Sequence, residues 1–190
     1  MHPHRIAAFL AGCWILGSLF MMFVATQNFR AVDRVLLMPS ATASPLIQTL
    51  GSDNSRALLR QLVADENAFY FQSWELAELV LGVMLAGFLW FGSRQRALAG
   101  LAVAMVAVAA LQHFTITPEM IAMARSLEPA TSRADFGRLH ALYGIFEGAK
   151  LGMAIGIATV ILPVWRKGSL KSAPHAPATF PQPTPPLPPA

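Results

Sequence analysis

Seven side chains able to carry or relay charge stand inside otherwise apolar runs: Glu75, Glu78, His113, His140, Tyr143, Glu147 and Lys150. Ionisable groups in such places are costly and are functional candidates by default. Glu75 and Glu78 lie three residues apart and share one helical stripe with Phe71 and Gly82. His140, Gly144 and Glu147 form a second stripe, with Tyr143 and Lys150 beside it. Three glutamates against one lysine leave the group at −2 if every carboxyl ionises and the imidazoles stay neutral. A low dielectric does not tolerate that excess. It must be relieved by a retained proton, by a charged His113 or His140, by Arg30 or Arg138 reaching in, or by a bound cation. These solutions correspond to proton carriage, pH sensing, a structural network or metal binding. The structural reading stays open beside the functional ones. Glu147 and Lys150 can satisfy each other at i, i+3, and polar groups act as interhelical glue.

The elements that must position these residues are helices. The chain has 190 residues, 55% hydrophobic and 13% charged, about half the charge a soluble domain carries. A bilayer crossing takes about 20 mostly apolar residues. Four stretches qualify, at about residues 6–29, 69–92, 97–117 and 139–165. The first lacks any charge between Arg5 and Arg30 and is too long for the core of a cleaved signal peptide. The expected fold is all-α: an integral membrane four-helix bundle with a short helical cap on one side and a disordered, Pro-rich C-terminal tail.

The cap is expected from residues 30–68 and 118–138. The first helix extends to Met38 and stops at Pro39. Ser44-Pro45 reads as a helix start closed by Gly51, and another helix begins near Asn54. Thr117-Pro118-Glu119 reads as the start of a short helix reaching Leu127, and Ser132 with Asp135 resembles a capping box. On the other side, Ser93 to Arg96 is the whole connection between the second and third stretches. Residues 166–190 hold 8 of the 14 prolines, a composition suited to polyproline II or disorder, with PxxP spacing that could engage an SH3-like partner. At ~1.5 Å per residue, Glu75 lies about 9 Å and Lys150 about 18 Å from the cap-side boundary, so the ionisable positions occupy the cap half. Gln112 and His113 on the third stretch, and Gln27 and Asn28 on the first, stand at the same end.

Orientation follows from basic residues. Six Lys/Arg sit close against the ends on the short-loop side, free of acids, whereas the seven Arg of the cap are mixed with seven acids. Both termini are therefore expected in the cytoplasm of a cell whose inner (plasma) membrane holds the chain. The single Cys13 reads as a small apolar core residue and forms no intramolecular disulfide.

Gly144, Gly148, Gly152 and Gly156 make three overlapping GxxxG units, expected to serve close helix packing. Packing within the bundle is favoured over a homodimer, and Ala97, Gly100, Ala104 and Ala107 on the third stretch supply a matching small stripe.

The segments RALLRQLVADENAFYFQSWELAELVLG and FGRLHALYGIFEGAKLGMAIG resemble a group of bacterial four-span membrane proteins similar to the transmembrane-protein-205-like domain. The likeness covers about residues 6–165 and implies a four-helix membrane fold, without an activity. A more distant similarity to copper-resistance-D-like or haem-binding four-helix membrane proteins runs through His113 and His140. The paired histidines within one helix that such proteins use are missing.

No nucleophile–base pair, phosphate loop or nucleic-acid footprint is present, so catalysis of the soluble type is not expected. No cofactor is predicted; haem or a divalent metal on His113 and His140 stays open, but no spacing matches a strong metal motif. The expected partners are the lipid bilayer and a further membrane protein or second copy. The readings carried forward are proton, ion or small-ligand handling by the polar cluster, haem or metal binding, and assembly through the glycine ridge.

Overall fold

The chain folds as the apolar periodicity dictates, with α1 spanning Pro3–Leu37, α2 Ala43–Leu50, α3 Ser52–Gly87, α4 Arg96–Leu111, α5 Thr117–Arg125 and α6 Thr131–Lys171. The computed structural model describes residues 3–125 and 131–171, with side chains for 3–124 and 134–162, and no strand occurs among the described residues. Four helical stretches, Pro3–Leu37, Ser52–Gly92, Arg96–Ala124 and Ala134–Leu162, are long and apolar enough to cross a membrane. The expected end near Leu127, the Ser132 cap and residues 172–190 of the proline-rich tail lie outside the described residues. Residues 166–171, expected in that tail, continue α6 instead.

The four long helices pack as a ring. α1 lies against α3 and α6, and α4 lies against the same two, so α3 and α6 face each other across the diagonal. Gly17 meets the Trp74 indole, Gly82 meets Trp14 and Val106, and Gly92 meets Pro3, which runs α1 and α3 antiparallel. Small side chains let the helices approach: Ala7 and Ala11 of α1, Ala99 and Ala102 of α4 and Ala154 of α6 are fully buried, interlocked with Leu85, Leu89 and Ile157. This dry core fills the half of the bundle away from the cap. Trp14, stacked against Gly82 one turn from Glu78, floors the polar half.

The glycine ridge does not perform the expected internal packing. A Cβ built on Gly144, Gly148, Gly152 or Gly156 would meet nothing within 4 Å. The stripe of Ala97, Gly100, Ala104 and Ala107 is likewise exposed. The reason is rotational. The polar residues of α6 claim the inward face, and alanines on the opposite side of α4 make its contacts. The close approaches occur at Gly17 against Trp74, at Gly82 against Val106 and Trp14, and at Gly92 against Pro3.

Local chemistry explains the connections. α2 starts at Ala43, one residue before Ser44; Thr42 stands at its N-cap, and the Ala43 N–H donates to Ser40 Oγ at 3.2 Å. Gly51, at φ 80°, turns the chain sharply into α3, which begins at Ser52 rather than Asn54. Asp33 and Arg56 pair at 2.7 Å and tie the extension of α1 to the first turns of α3. α3 ends in a π-helical turn over Phe88–Gly92, and Ser93–Gln95 suffices to reach α4.

The break expected at Thr117-Pro118 is absent: α4 continues into α5 through a second π-helical turn, Gln112–Ile116. Pro118 has no N–H, and its ring would crowd the carbonyl four residues back in an α-helix. Widening the preceding turn accommodates it, and the Thr117 N–H donates to Gln112 O, five residues back. Thr117 is therefore not a cap.

Candidate functional site

The polar side chains of α3, α4, α5 and α6 converge between the dry core and the cap. Glu75 and Glu78 project from the inner face of α3 with no solvent exposure, as does Lys150 from α6. The Lys150 ammonium ion-pairs with Glu78 Oε2 across the diagonal and with Glu147 Oε1 at 2.7 Å along its own helix. Gln112 Nε2 donates to the same Glu147 oxygen at 3.2 Å and to the Tyr143 carbonyl at 3.4 Å. Glu75 is held separately: the Thr117 hydroxyl donates to Oε1 at 2.5 Å, and His113 Nδ1 lies 3.2 Å from Oε2.

The π-helical turn makes this convergence possible. At about 100° per residue, an α-helix would place Gln112 and Thr117 about 140° apart. The widened turn narrows that angle, so Gln112, Ile116 and Thr117 are all buried and His113 reaches Glu75. π-helical turns of this kind are frequent at functional sites.

The charge count sharpens accordingly. Three carboxylates face Lys150 and His113. Even a protonated imidazole would leave one negative charge in excess. Glu78 Oε1 is buried and has no hydrogen-bond partner. The Tyr143 hydroxyl is also buried and stands beside Glu75 without closing a hydrogen bond of normal geometry, while its ring packs edge-on against Phe71 with centroids 5.6 Å apart. On α1, Ser18 is buried one turn beyond Trp14 with its hydroxyl unpartnered.

No family model matches this sequence, and no curated protein or solved structure matches it either. The site must be read from its own geometry.

Of the seven residues singled out by sequence, Glu78, Glu147 and Lys150 enter one bonded group and Glu75 with His113 another beside it, and Tyr143 adjoins both. His140 stands apart. It is exposed, lies over the Phe136 ring at 6.0 Å between centroids with planes 12° apart, and bonds to none of the carboxylates. His113 and His140 therefore contact different groups, and among the described residues no three His, Cys, Asp or Glu side chains gather as a metal-holding group. Arg138 pairs with Asp135 at 3.4 Å on the cap rather than reaching in.

Thr117 is the site residue that sequence reading missed, because Thr-Pro-Glu is also a strong helix-start signal. Gln112 was legible as a polar residue at the right end but not as the donor to Glu147. Above the network, Asn28 Nδ2 donates to Asn67 Oδ1 at 2.8 Å and pins α1 to α3. A cavity of about 100 Å³ opens there, with Thr117 and Tyr143 in the wall it shares with the network.

Proposed function

We propose that this chain is an integral protein of the inner (plasma) membrane, crossing it four times with both termini cytoplasmic, and that its buried cluster holds and exchanges a proton. The bilayer reading is supported by an inverted distribution of polarity. Phe9, Phe20, Phe23, Val83, Val103 and Ile145 point outward, between 57% and 69% exposed, while Glu75, Glu78 and Lys150 have no exposure at all. A soluble protein would not present so large an apolar surface to water. The likeness to the transmembrane-protein-205-like group belongs to the same proposal.

The observation that carries the proton reading is the Glu78–Lys150–Glu147 triad. Two carboxylates share one ammonium, with Glu78 and Lys150 fully buried and Glu147 partly so, and Glu78 Oε1 is left without a partner. One proton held among these groups removes the excess charge. Glu75, joined to His113 and Thr117 nearer the cap, supplies the next acceptor. Infrared difference spectroscopy on the protein in lipid vesicles tests this directly. A protonated-carboxyl band that changes with pH and is altered in Glu78→Gln is expected. Its absence at every pH at which the protein stays folded would sink the reading.

A second reading, assembly through the glycine ridge, is supported by the open face at Gly144, Gly148 and Gly152. Small residues facing lipid permit close approach by another helix.

A further inference from the structure

The buried carboxylates are sealed from one end of the bundle. Away from the cap, residues 6–12, 83–89, 97–105 and 151–158 of the four long helices include no side chain able to pass a proton. At ~1.5 Å per residue they form a layer about 10 Å thick. Leu10, Leu85, Leu89, Ala102, Met105 and Ile157 fill it and are at most 4% exposed. A buried water needs two to four polar partners, and interiors lined only by apolar side chains stay dry. At the top of this layer the Trp14 indole, with no exposure, fits against Gly82 one turn from Glu78.

The cap end is different. His113, its side chain 24% exposed, reaches the fully buried Glu75, with Nδ1 3.2 Å from Oε2. It stands four residues before Thr117, about 6 Å from the cap-side boundary. Glu147 is less exposed, at 15%, and lies deeper, about 12 Å in. An imidazole can take a proton on one ring nitrogen and release one from the other.

Tyr143 connects the two bonded groups. Its hydroxyl stands beside Glu75, and its carbonyl accepts from Gln112, which also donates to Glu147. Glu147, Glu75 and Glu78 all lie within electrostatic reach of the phenol. A hydroxyl can accept one proton as it gives up another. The other elements around the cluster add little that titrates. α1 presents Trp14 and Ser18, and α5 presents Thr117. Asp65 and His140 stand above, in the cavity wall, and Arg138 is paired with Asp135.

We propose, building on the proton reading above, that the cluster takes up and releases its proton through His113 and Glu75 from the cap side alone. Protonation of the triad then follows the pH on that side, and no proton crosses the membrane. A proton arriving on His113 Nε2 frees the one on Nδ1 for Glu75 Oε2. Tyr143 takes that proton on its oxygen as its own passes to Glu147 or Glu78. The histidine, Glu75 and the tyrosine end as they began, and the triad holds one proton more. Trp14 and the layer beneath it stop the proton there.

Right-side-out and inverted membrane vesicles holding the full chain, with inner and outer pH set independently, test this. Dicyclohexylcarbodiimide, an apolar reagent that modifies protonated carboxyl groups, reads each glutamate by mass spectrometry. Maleimide labelling of Asp53→Cys in a Cys13→Ser background shows which side the cap occupies. Modification of Glu78 and Glu147 should fall by up to about tenfold per unit rise in cap-side pH, and stay constant when only the opposite pH changes. A pH dye in the lumen should record no proton flux above that of vesicles lacking the chain. His113→Gln keeps a donor for Glu75 but cannot pass a proton through. It should slow the carboxyl response to a pH jump severalfold in rapid-mixing infrared measurements and leave the end point unchanged. Modification that follows the opposite side or both sides, a sustained flux, or an undiminished rate in His113→Gln overturns the proposal. The sidedness measurement needs no change in the cluster, so it decides even where His113→Gln fails to fold. Modification that ignores pH after the gradient is collapsed sinks the proton reading itself, and this inference with it.

Discussion

Glu78 of α3 and Lys150 of α6 meet across the diagonal of the bundle, both without solvent exposure. The pair joins two long helices that also meet where the Tyr143 ring packs against Phe71. Desolvating two charges is expensive, and their attraction offsets it only with good geometry and further hydrogen bonds. Glu147 and Gln112 supply those on one side. The unpartnered Glu78 Oε1 shows that satisfaction is incomplete.

Removing the cation alone should therefore be severe. Lys150→Met strands Glu78 and Glu147 against each other and is expected to cost about 3–5 kcal/mol of stability, the usual penalty for halving a buried pair. Combining it with Glu78→Gln should recover a large part. Unfolding midpoints in mixed detergent–lipid micelles measure both, and a double variant no better than the single would show that the pair does not determine stability.

Thr117 is expected to matter through its hydroxyl. Thr117→Val keeps the shape and removes the donor to Glu75, at a cost of about 1–3 kcal/mol, whereas Thr117→Ser should retain most of the stability. Equal losses in the two variants would point to packing instead.

Pro118 sets the wide turn that aims Thr117 at Glu75. Pro118→Ala restores the N–H and allows ordinary α spacing. The Thr117→Val effect should then shrink in the Pro118→Ala background, a coupling that a double-mutant cycle detects. Strict additivity would disconnect the proline from the site.

The glycines should divide by surroundings rather than by motif. Gly17→Ala and Gly82→Ala place a methyl into Trp74 and into Trp14 with Val106, at about 1–3 kcal/mol each. Gly148→Ala and Gly152→Ala, open on the outer face, should be neutral or stabilising in the monomer. Their effect on self-association, read by energy transfer between labelled copies in vesicles, tests the assembly reading separately.

Topology can be read with single cysteines in a Cys13→Ser background. A membrane-impermeant maleimide should label Asp53→Cys, on the cap, in sealed right-side-out vesicles. It should label Ser93→Cys, in the short loop, only after permeabilisation. The opposite pattern would invert the assigned orientation.

The sequence by itself determined the four long apolar helices, the short connection at Ser93–Gln95 and the confinement of ionisable residues to the cap half. Those follow from chain-local quantities: apolar run length, rise per residue and the positions of charged side chains. It also identified Glu75, Glu78, Glu147 and Lys150 as companions in depth. The tertiary structure decided which of them touch. The rotation of each helix about its axis is set by packing against its neighbours. That rotation turned the glycine ridge of α6 and the Ala97–Ala107 stripe of α4 outward, and brought Lys150 onto Glu78. It left His140 outside the network. A single proline, locally a helix-start signal, became a wide turn because burial of Gln112, Ile116 and Thr117 inside the bundle favoured continuing the helix.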